Sequence, residues 1–456
     1  MKQASRRSKI VETNWTAGLL IIVSLLATVA PATGYSQSTP PLPQQQQVPV
    51  PTQPAADLAF TTPVAVGPAS PLYVEWPKLV TERDGSLSAL YSWGYRDHVF
   101  YVHSSDNGRT WSSPEDVGGN PLWGGSAGNI SVAADREGRL HGCWYELYGP
   151  VYPSIHCRIR SKAGVWGPTA AVPGSGGERM KVTSMNVDTN GRTYVLAGKS
   201  ARSLYLYALS DAGYSPPVNL PLTKDSQPSP SWLPEIGMAK GGSMVLLYGD
   251  HTLGGYNIRS LWLSGRGGTG AGEEWHSHYF SETDAAGLYT NGAQQYRMSS
   301  VALAEGGLGL AFECRLSDAE DKDICYREWQ PNRHGLQYSG WQTNTVRFVT
   351  PPAQTVAPEL CIDERGQRYL VWMDSYANMQ VLVSWSRDGK QWSEPMRVNG
   401  GAYAREKHPS CAVSQGRLHV LWTDKISGDA RLYYASRSLP ELYPPLPLTS
   451  ITSTGK

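Results

Sequence analysis

A few residues in this chain of 456 have side chains suited to acid–base chemistry. Asp97 stands next to His98, and such a pair could transfer protons. Glu235 could supply a second carboxylate, since glycoside hydrolysis uses two. The sequence gives no separation between Asp97 and Glu235, and an exposed Asp97–His98 pair without a chemical role is the preferred interpretation.

A second group of carboxylates lies in the stretch "RLSDAEDKDIC". It contains Asp318, Glu320, Asp321 and Asp323, and clustered carboxylate oxygens can bind Ca²⁺. The stretch lacks the spacing and the turn glycine of a calcium-binding loop, so a solvated acidic loop is favoured. The chain has no G-x-S-x-G, H-E-x-x-H or phosphate-loop motif. We therefore expect neither a metal nor a cofactor.

The composition limits the classes of partner and fold. The formal net charge is +1, which gives no reason to expect nucleic acid or an anionic membrane surface as a partner. The chain has 47 Gly, 16 Trp and 25 Tyr against 5 Phe, a balance typical of turn-rich β-structure with amphipathic aromatic residues.

A repeat of about fifty residues organises the chain. Each unit has an apolar strand, a polar turn with glycine and a strongly apolar strand, as in "ISVAADREGRLHGCWYE" and "ELCIDERGQRYLVWMD". The turn glycines are Gly85, Gly138, Gly191, Gly242, Gly306, Gly366 and Gly416. Seven such units predict an all-β fold, a seven-bladed β-propeller of four-stranded antiparallel blades.

The second half of the unit carries a recurring turn between its third and fourth strands. It reads "SSDNGRTWSSP" in the first unit and "WSRDGKQWSEP" in the sixth. In such a turn Asp can accept backbone N–H bonds, Gly can take a positive φ, and Trp can pack between neighbouring blades. The residues expected to act in this way are Ser104, Asp106, Gly108, Thr110 and Trp111, and Ser386, Asp388, Gly389 and Trp392.

The two ends of the chain are predicted to meet in the last blade. An outer strand of the form W-x-x-P-x-x-V follows the recurring turn, as at Trp111, Pro114 and Val117, but the last unit lacks one. The segment "FTTPVAVGP" has the same spacing, so we expect it to supply this strand and close the ring. The propeller then spans residues 58–446 as one domain, with a tail at 447–456.

The first 57 residues are interpreted as targeting and spacer segments. Basic residues precede the uncharged run "WTAGLLIIVSLLATVAPA", so residues 1–34 are predicted to be a signal peptide, with a retained membrane anchor as the alternative. Residues 35–57 are a Pro/Gln-rich linker. We expect an extracellular, cell-surface or periplasmic protein that touches a membrane only through an uncleaved N-terminal segment.

Six cysteines, an even number, indicate disulfides in an exported chain. The register of the repeat suggests the pairs Cys143–Cys157, Cys314–Cys325 and Cys361–Cys411. The first two pairs would join the second and third strands of one unit, and the third would join the first strands of two neighbouring units. Six cysteines also allow other connectivities.

The S-x-D-x-G-x-T-W run at residues 104–111 resembles the Asp-box of sialidases and other BNR-repeat propellers. For a sialidase, this resemblance implies three arginines that hold the substrate carboxylate. In sialidases the first of these arginines belongs to an R-I-P motif on the first inner strand. In this chain Glu75 and Trp76 stand at the Arg and Ile positions of that motif. The position of the nucleophilic Tyr falls on Arg297, with Tyr296 one residue earlier.

Other features of the resemblance include two that favour sialidase activity and one that opposes it. Glu313 matches the supporting Glu of sialidases, and Asp97 stands about where a sialidase keeps its acid/base Asp. Sialidase domains usually have six blades, whereas the repeat predicts seven. These departures, at Glu75 and Trp76, at Arg297 and in the number of blades, favour a member of the superfamily without sialidase activity over a working sialidase.

The residues that begin each first strand are expected to point towards the ring axis, at the end away from the recurring turns. They are Glu75, Trp76, Asn129, Lys181, Trp232, Glu235, Tyr296, Arg297, Glu359, Lys407 and His408. Such a ring of charges and aromatics is typical of a pocket for a glycan or other polar ligand, and a water-filled channel of mutually neutralised charges is the alternative. The predicted ligand-binding residues are Glu75, Trp76, Lys181, Trp232, Arg297, Lys407 and His408, and the candidate catalytic residues are Asp97, Glu235 and Tyr296.

Three functions fit these observations. The leading one is an exported propeller that binds a glycan or a cell-surface protein at this end of the ring, without sialidase activity. The alternatives are a sialidase-like exo-glycosidase or other glycan-active propeller enzyme, and a rigid scaffold for surface assembly.

Overall fold

The structure is a computed structural model. It describes residues 59–70, 74–94, 98–118, 126–147, 154–174, 180–188, 190–199, 203–210, 213–220, 235–239, 243–250, 257–264, 274–279, 297–314, 323–330, 346–348, 355–374, 380–398, 408–424 and 429–439. All of them belong to the compact unit Leu42–Lys456. The predicted signal peptide, linker and C-terminal tail lie outside the described residues. The predicted domain boundaries therefore stay predictions.

The described residues form 29 β-strands. In chain order they are β1 (Val64–Ser70), β2 (Val74–Thr81), β3 (Leu87–Trp93), β4 (His98–Ser104), β5 (Glu115–Gly118), β6 (Ser126–Ala134), β7 (Leu140–Leu147), β8 (Ser154–Arg160), β9 (Ala170–Ala171), β10 (Met180–Val187), β11 (Thr193–Lys199), β12 (Leu204–Ser210), β13 (Gly213–Tyr214), β14 (Val218–Asn219), β15 (Glu235–Met238), β16 (Met244–Asp250), β17 (Asn257–Ser264), β18 (Glu274–Tyr279), β19 (Met298–Ala302), β20 (Leu308–Cys314), β21 (Asp323–Trp329), β22 (Val346–Phe348), β23 (Thr355–Ile362), β24 (Arg368–Asp374), β25 (Gln380–Ser386), β26 (Met396–Arg397), β27 (Ser410–Ser414), β28 (Arg417–Asp424) and β29 (Ala430–Ser438).

These strands form antiparallel sheets arranged around an axis. Six sheets have four strands and one has five. The innermost strands, each in contact with its neighbours in cyclic order, are β2, β6, β10, β15, β19, β23 and β27. The prediction of an all-β propeller is confirmed. Each sheet is named below by its place in the chain, from the first (β2–β5) to the last (β27–β29 with β1).

The prediction that every blade has four strands is wrong for the third sheet. There the outer edge is divided into β13 and β14, which both pair with β12. Pro216 and Pro217 lie between these two short strands. Proline has no N–H to donate to a ladder, so the pair interrupts the outer strand and leaves the sheet with five strands.

The N-terminal strand belongs to the last sheet. β1 pairs antiparallel with β29, with Val64 opposite Tyr434 and Val66 opposite Leu432. Just before it, Thr61 N–H donates to the Ser436 carbonyl at 2.8 Å. The pairing buries Val66 against the core of the last and first sheets.

The core lies between neighbouring sheets. The second strand of each sheet is central in its own sheet and covered on both faces, so it is buried along nearly its whole length, as in β3 and β20. Trp144, Trp372 and Trp422 take comparable places in the second strands of three sheets, and all three are fully buried. These three residues pack in the apolar clusters that join neighbouring sheets.

The recurring turns are hairpins between the third and fourth strands. Asp106 Oδ1 accepts hydrogen bonds from Ser104 Oγ and the Thr110 N–H, each at 2.9 Å, and Gly108 has a φ of 78°. The Thr110 hydroxyl also donates to Asp106 Oδ2, at 2.6 Å, and this bond, together with those from the Thr110 N–H and Ser104, lowers the pKa of Asp106 to about 2. Trp111 packs edge-on against Tyr434 of the preceding sheet, with ring centroids 5.3 Å apart.

The second good copy of the turn has the same construction. Asp388 Oδ1 accepts the N–H groups of Lys390 and Gln391 at 2.8 and 2.9 Å. Trp392 packs edge-on against Tyr326 of the preceding sheet at 4.9 Å. Both turns are therefore contacts between sheets, at the end of the ring away from the predicted pocket.

Three disulfides are present, and all pair as the register suggested. Cys143–Cys157 and Cys314–Cys325 each join the second and third strands of one sheet, and Cys361–Cys411 joins β23 to β27. Among the residues that the structure describes, no helix has the length and apolar character to cross a membrane.

Candidate functional site

Three of the innermost strands bend where they approach the axis. β2, β6 and β23 each shift register there, and the residues at the bends, Trp76, Asn129 and Ala357, have φ angles of 55°, 48° and 55°. Positive φ is rare outside glycine. Such bulges turn the side chains of a strand towards a new direction. The residues that follow the bends in β2 and β23, Lys78 and Glu359, are partly exposed at the axis.

Arg297 reaches across the ring to two other sheets. Its guanidinium carbon lies 4.5 Å from the centre of the Trp76 ring, and Nη2 lies 3.2 Å from Nε2 of His408. The His408 ring stacks on Trp76 with centroids 4.5 Å apart and an interplanar angle of 14°. Because Arg297 and His408 also contact each other, both lie on the same side of the indole.

Trp76 also packs against the apolar core between the first and second sheets. Trp76 therefore acts as a support that joins Arg297 and His408 to this core.

Lys78 and Glu359 form an ion pair between the first and sixth sheets. Lys78 Nζ donates to both carboxylate oxygens, at 2.8 and 2.7 Å. Ser410, from the last sheet that lies between them, donates to Glu359 Oε1 at 3.4 Å. The ion pair thus connects two sheets that are separated by one other sheet. Both side chains stay partly exposed to solvent, Lys78 by 35% and Glu359 by 16%.

Glu235 is the partly exposed carboxyl group at the start of β15. Oε2 accepts a hydrogen bond from Ser184 Oγ at 3.1 Å, and Oε1 accepts from the N–H and Oγ of Ser300 at 3.3 and 2.9 Å. Desolvation raises the pKa of Glu235 to about 7, and the Glu359 carboxylate adds to the rise, whereas Lys78 and the serines oppose it. The Glu235 carboxyl group can therefore gain or lose a proton near neutral pH.

Carboxylates surround the arginine. Burial lowers the pKa of Arg297 to about 10, while the nearby carboxylates of Glu313, Glu359 and Glu75 act in the opposite direction. Glu313 Oε1 also accepts the N–H of Ala357, at 3.0 Å, at the bend of β23. The Arg297 charge is thus already balanced within the protein.

Serine hydroxyl groups fix the innermost strands to one another. Ser184 Oγ accepts the N–H of Ile236 at 3.1 Å, Ser299 Oγ that of Leu360 at 2.9 Å, and Ser410 Oγ that of Leu79 at 3.0 Å. Each bond joins neighbouring sheets. The backbone around the site is therefore held in place by bonds between sheets.

We call the partly exposed group at this end of the ring the axial cluster. It comprises Trp76, Lys78, Glu235, Arg297, Glu359 and His408. Of the predicted ligand-binding residues, the structure brings Trp76, Arg297 and His408 into contact, and buries Glu75 close to Arg297. Their binding roles stay predictions.

Other predicted site residues lie outside the described residues. They are Asp97, Trp232, Tyr296, Lys407, Asp318 and Asp321. Lys181 lies on β10 opposite Gly198, and its side chain is not described. Asp323 is buried on β21, opposite Cys314. Within the described ranges no three His, Cys, Asp or Glu side chains are grouped so as to hold a metal ion.

Sequence reasoning missed the roles of Lys78 and the strand serines. A signal for Lys78 was present, because Trp76-Pro77-Lys78 and Ala357-Pro358-Glu359 have proline at the same place in two first strands. The matching prolines predict matching bends, after which Lys78 and Glu359 occupy equivalent positions.

A concave feature lies at the opposite end of the ring from the axial cluster. A cavity of about 390 Å³ is lined by Thr81, Glu82, Arg83, Ala134, Asp135 and Arg136. Both carboxylate oxygens of Asp135 are bonded by nearby residues. Oδ1 accepts the N–H groups of Glu137 and Arg139. Oδ2 contacts Arg139 Nε at 2.6 Å and His141 Nε2 at 2.9 Å. These bonds shape the turn and leave the carboxylate no capacity for a ligand.

Solved structures share this fold. An ulvan lyase of polysaccharide lyase family PL25, bound to -[GlcA(1-4)Rha3S]-, is 14% identical with a TM-score of 0.52, over 84% of this chain and 97% of the lyase. A fungal alcohol oxidase of the AA5 family, in complex with copper, is 10% identical with a TM-score of 0.53, over 84% and 76%. A Dyadobacter fermentans protein of unknown function is 10% identical with a TM-score of 0.50, over 84% and 100%.

By sequence, no protein-family model and no curated protein matches the chain. At such low identities the structural likenesses establish the propeller fold alone.

Proposed function

We propose that this protein is an exported propeller that binds glycans at the axial cluster and has no sialidase activity. The observation that carries the proposal is the convergence of partly exposed Lys78, Glu235, Arg297, Glu359 and His408 from five different sheets at one end of the axis. A set of hydrogen-bond donors and acceptors held on rigid strands suits a ligand rich in hydroxyl groups. The three disulfides support export, because such bonds persist in oxidising compartments.

The surroundings of Arg297 support the lack of sialidase activity. The residues at the Arg-Ile positions of the sialidase-like motif are Glu75 and Trp76, and the Glu75 carboxylate acts on Arg297. A substrate carboxylate would meet Glu75, Glu313 and Glu359 around a guanidinium that is already balanced.

A glycan array followed by calorimetry with the purified full chain tests the proposal. We expect binding of at least one oligosaccharide, weakened at least tenfold by Arg297→Ala. Arg109→Ala, in the recurring turn at the opposite end of the ring, is the control and should bind normally. Turnover of a fluorogenic sialoside that is abolished by Arg297→Ala would overturn the proposal, and silence in every binding assay would favour a scaffold.

A second candidate function is hydrolysis of a glycan other than a sialoside, and Glu235 favours it. A carboxyl group with a pKa of about 7 can donate a proton to a leaving oxygen, and the Lys78-paired Glu359 supplies a second carboxylate that acts on it. A panel of fluorogenic glycosides tests this function. Turnover that Glu235→Gln lowers at least a hundredfold would establish it, and the absence of turnover on the panel would leave binding as the function.

A further inference from the structure

The axial cluster contains one carboxyl group without a cation of its own. Lys78 is bound to Glu359 through both oxygens, and Arg297 lies among Glu75, Glu313 and Glu359. Among the described residues Glu235 forms no ion pair, and its bonds come from the uncharged groups of Ser184 and Ser300. The described part of the site thus holds a carboxyl group with no directly bonded cation, on which Lys78 acts only from a longer distance.

The field around Glu235 determines which ligand charge it favours. The groups that act on its carboxyl are Lys78, Glu359, Ser184 and Ser300. A ligand carboxylate would add to the repulsion from Glu359. A ligand ammonium would instead supply the counterion that Glu235 lacks, and a charge-assisted hydrogen bond to a carboxylate is stronger than one between neutral groups.

We propose that the axial cluster selects amino sugars with a free primary amine, and that Glu235 is the residue that recognises the ammonium group. The inference rests on the proposed glycan binding and adds the chemical class of the ligand. An oligomer of glucosamine has the required chemistry, whereas its N-acetylated form replaces the ammonium with a neutral amide and a uronic-acid oligomer reverses the charge.

Recognition of an ammonium group has a proton linkage. With a pKa of about 7, Glu235 is mostly protonated in mild acid, so binding an ammonium there must release a proton. Affinity for the amine therefore rises as the pH approaches neutrality from the acid side, and it falls again once the ligand amine loses its own proton. The N-acetylated ligand has no such profile.

Calorimetry on the full chain with three hexasaccharides tests the proposal. The probes are a glucosamine oligomer, its fully N-acetylated form and a uronic-acid oligomer. At pH 7 we expect the amine form to bind at least tenfold more tightly than the N-acetylated form, with the uronic-acid oligomer weakest. Titrations below pH 7 in two buffers of different ionisation enthalpy should show proton release with the amine form only.

Two variants assign the effect to Glu235. Glu235→Gln keeps the size of the side chain and should reduce the amine preference to within about twofold. Glu82→Gln is the matched control, because Glu82 is also a partly buried glutamate bonded by a serine, Ser88, but it follows the other end of β2. The control should retain the preference.

The outcomes separate this inference from the proposed function. Equal affinity for the amine and N-acetylated oligomers would overturn the amine preference and leave glycan binding in place. A preference that survives in Glu235→Gln, or that is also lost in Glu82→Gln, would overturn the assignment to Glu235. Binding of none of the three oligomers, on the array or in solution, would overturn both proposals.

Discussion

Glu235 has a carboxyl group whose ionisation the fold moves into the neutral range. Its pKa rises from 4.5 to about 7, so between these values the folded protein holds a proton that the unfolded chain has lost. Stability therefore falls as the pH rises through this window and levels off above about pH 7. The contribution is fully present only below pH 4.5.

Glu235→Gln should remove this pH dependence. Relative to the wild type, we expect the variant to gain roughly 1–3 kcal/mol between pH 4.5 and 8, after allowance for the partial exposure of the side chain. Urea denaturation of both proteins across that range measures the difference. A difference that stays constant with pH would show that Glu235 titrates normally in the fold.

Gly108 has two reasons to be glycine, and substitutions can separate them. Its φ is 78°, and a Cβ would overlap the phenol ring of Tyr434 in the preceding sheet. Gly416 has a similar φ of 68° but open space around the Cβ position. Gly416→Ala should therefore cost about 1–2 kcal/mol, the penalty for a left-handed backbone alone.

Gly108→Ala should cost the same backbone penalty and a further ~1–3 kcal/mol for overpacking against Tyr434. Chemical denaturation of both variants at one pH gives the comparison. Equal losses would mean that Tyr434 moves aside without cost, and the recurring turn would then contribute less to the contact between sheets than its geometry indicates.

Residue contacts were the part of the site least accessible from sequence. The sequence placed Trp76, Arg297 and His408 near one axis, because each begins a first strand. It could not show that Arg297 lies on Trp76 or that Lys78 binds Glu359, since the first two residues are 221 positions apart along the chain and the second two 281. Such contacts depend on the tilt and spacing of whole sheets.

The innermost strands are the elements that hold the axial cluster, and a disulfide joins two of them. Cys361 follows Glu359 by two residues on β23, and Cys411 follows Ser410 on β27. Cys411 Sγ lies 3.9 Å from the Glu359 carbonyl oxygen. The bridge therefore fixes the separation of β23, which carries Glu359, from β27, which His408 precedes by two residues.

Replacing this pair should affect the site as well as stability. We expect Cys361→Ser with Cys411→Ser, and the control Cys143→Ser with Cys157→Ser, each to lose about 2–5 kcal/mol of stability. Only the first variant should lose glycan affinity, by about tenfold, because only that bridge contacts the axial cluster. Calorimetry at a temperature where both variants are folded measures this, and equal affinities would contradict a positioning role for the Cys361–Cys411 bridge.

Elements were predicted better than contacts. Regular glycine turns and apolar runs predicted the sheets and the disulfide register, because each unit repeats the same local pattern. The division of the outer strand of the third sheet was not predicted, although Pro216 and Pro217 indicate that the hydrogen bonds along this strand are interrupted. The bends at Trp76 and Ala357 were missed because a positive φ at a residue other than glycine has no strong local signal.

At the scale of the whole molecule, the pairing of β1 with β29 joins the two ends of the described chain. We infer that this pairing closes the ring. Without β1 the backbone groups of β29 would form an open edge, and Val66 would be lost from the core between the last and first sheets.

Deletion of residues 59–70 should therefore lower the unfolding temperature by several degrees and cause association through the open edge. Thermal unfolding and light scattering measure these effects, and deletion of residues 447–456 is the control. A peptide of residues 59–70 added in trans should restore a monomer. A monomeric deletion variant with unchanged stability would show that the ring closes without β1.

Because one sheet contains both the first and the last described strands, this sheet cannot be completed before β29 has been synthesised. About 360 residues separate Ser70 from Ala430, so at ~5–20 residues per second β1 waits roughly 20–70 s for its partner. During that time β1 is an unpaired strand at the start of a growing array. Gly67, at a φ of 72°, and Pro68 interrupt it, which limits pairing with other chains until β29 emerges.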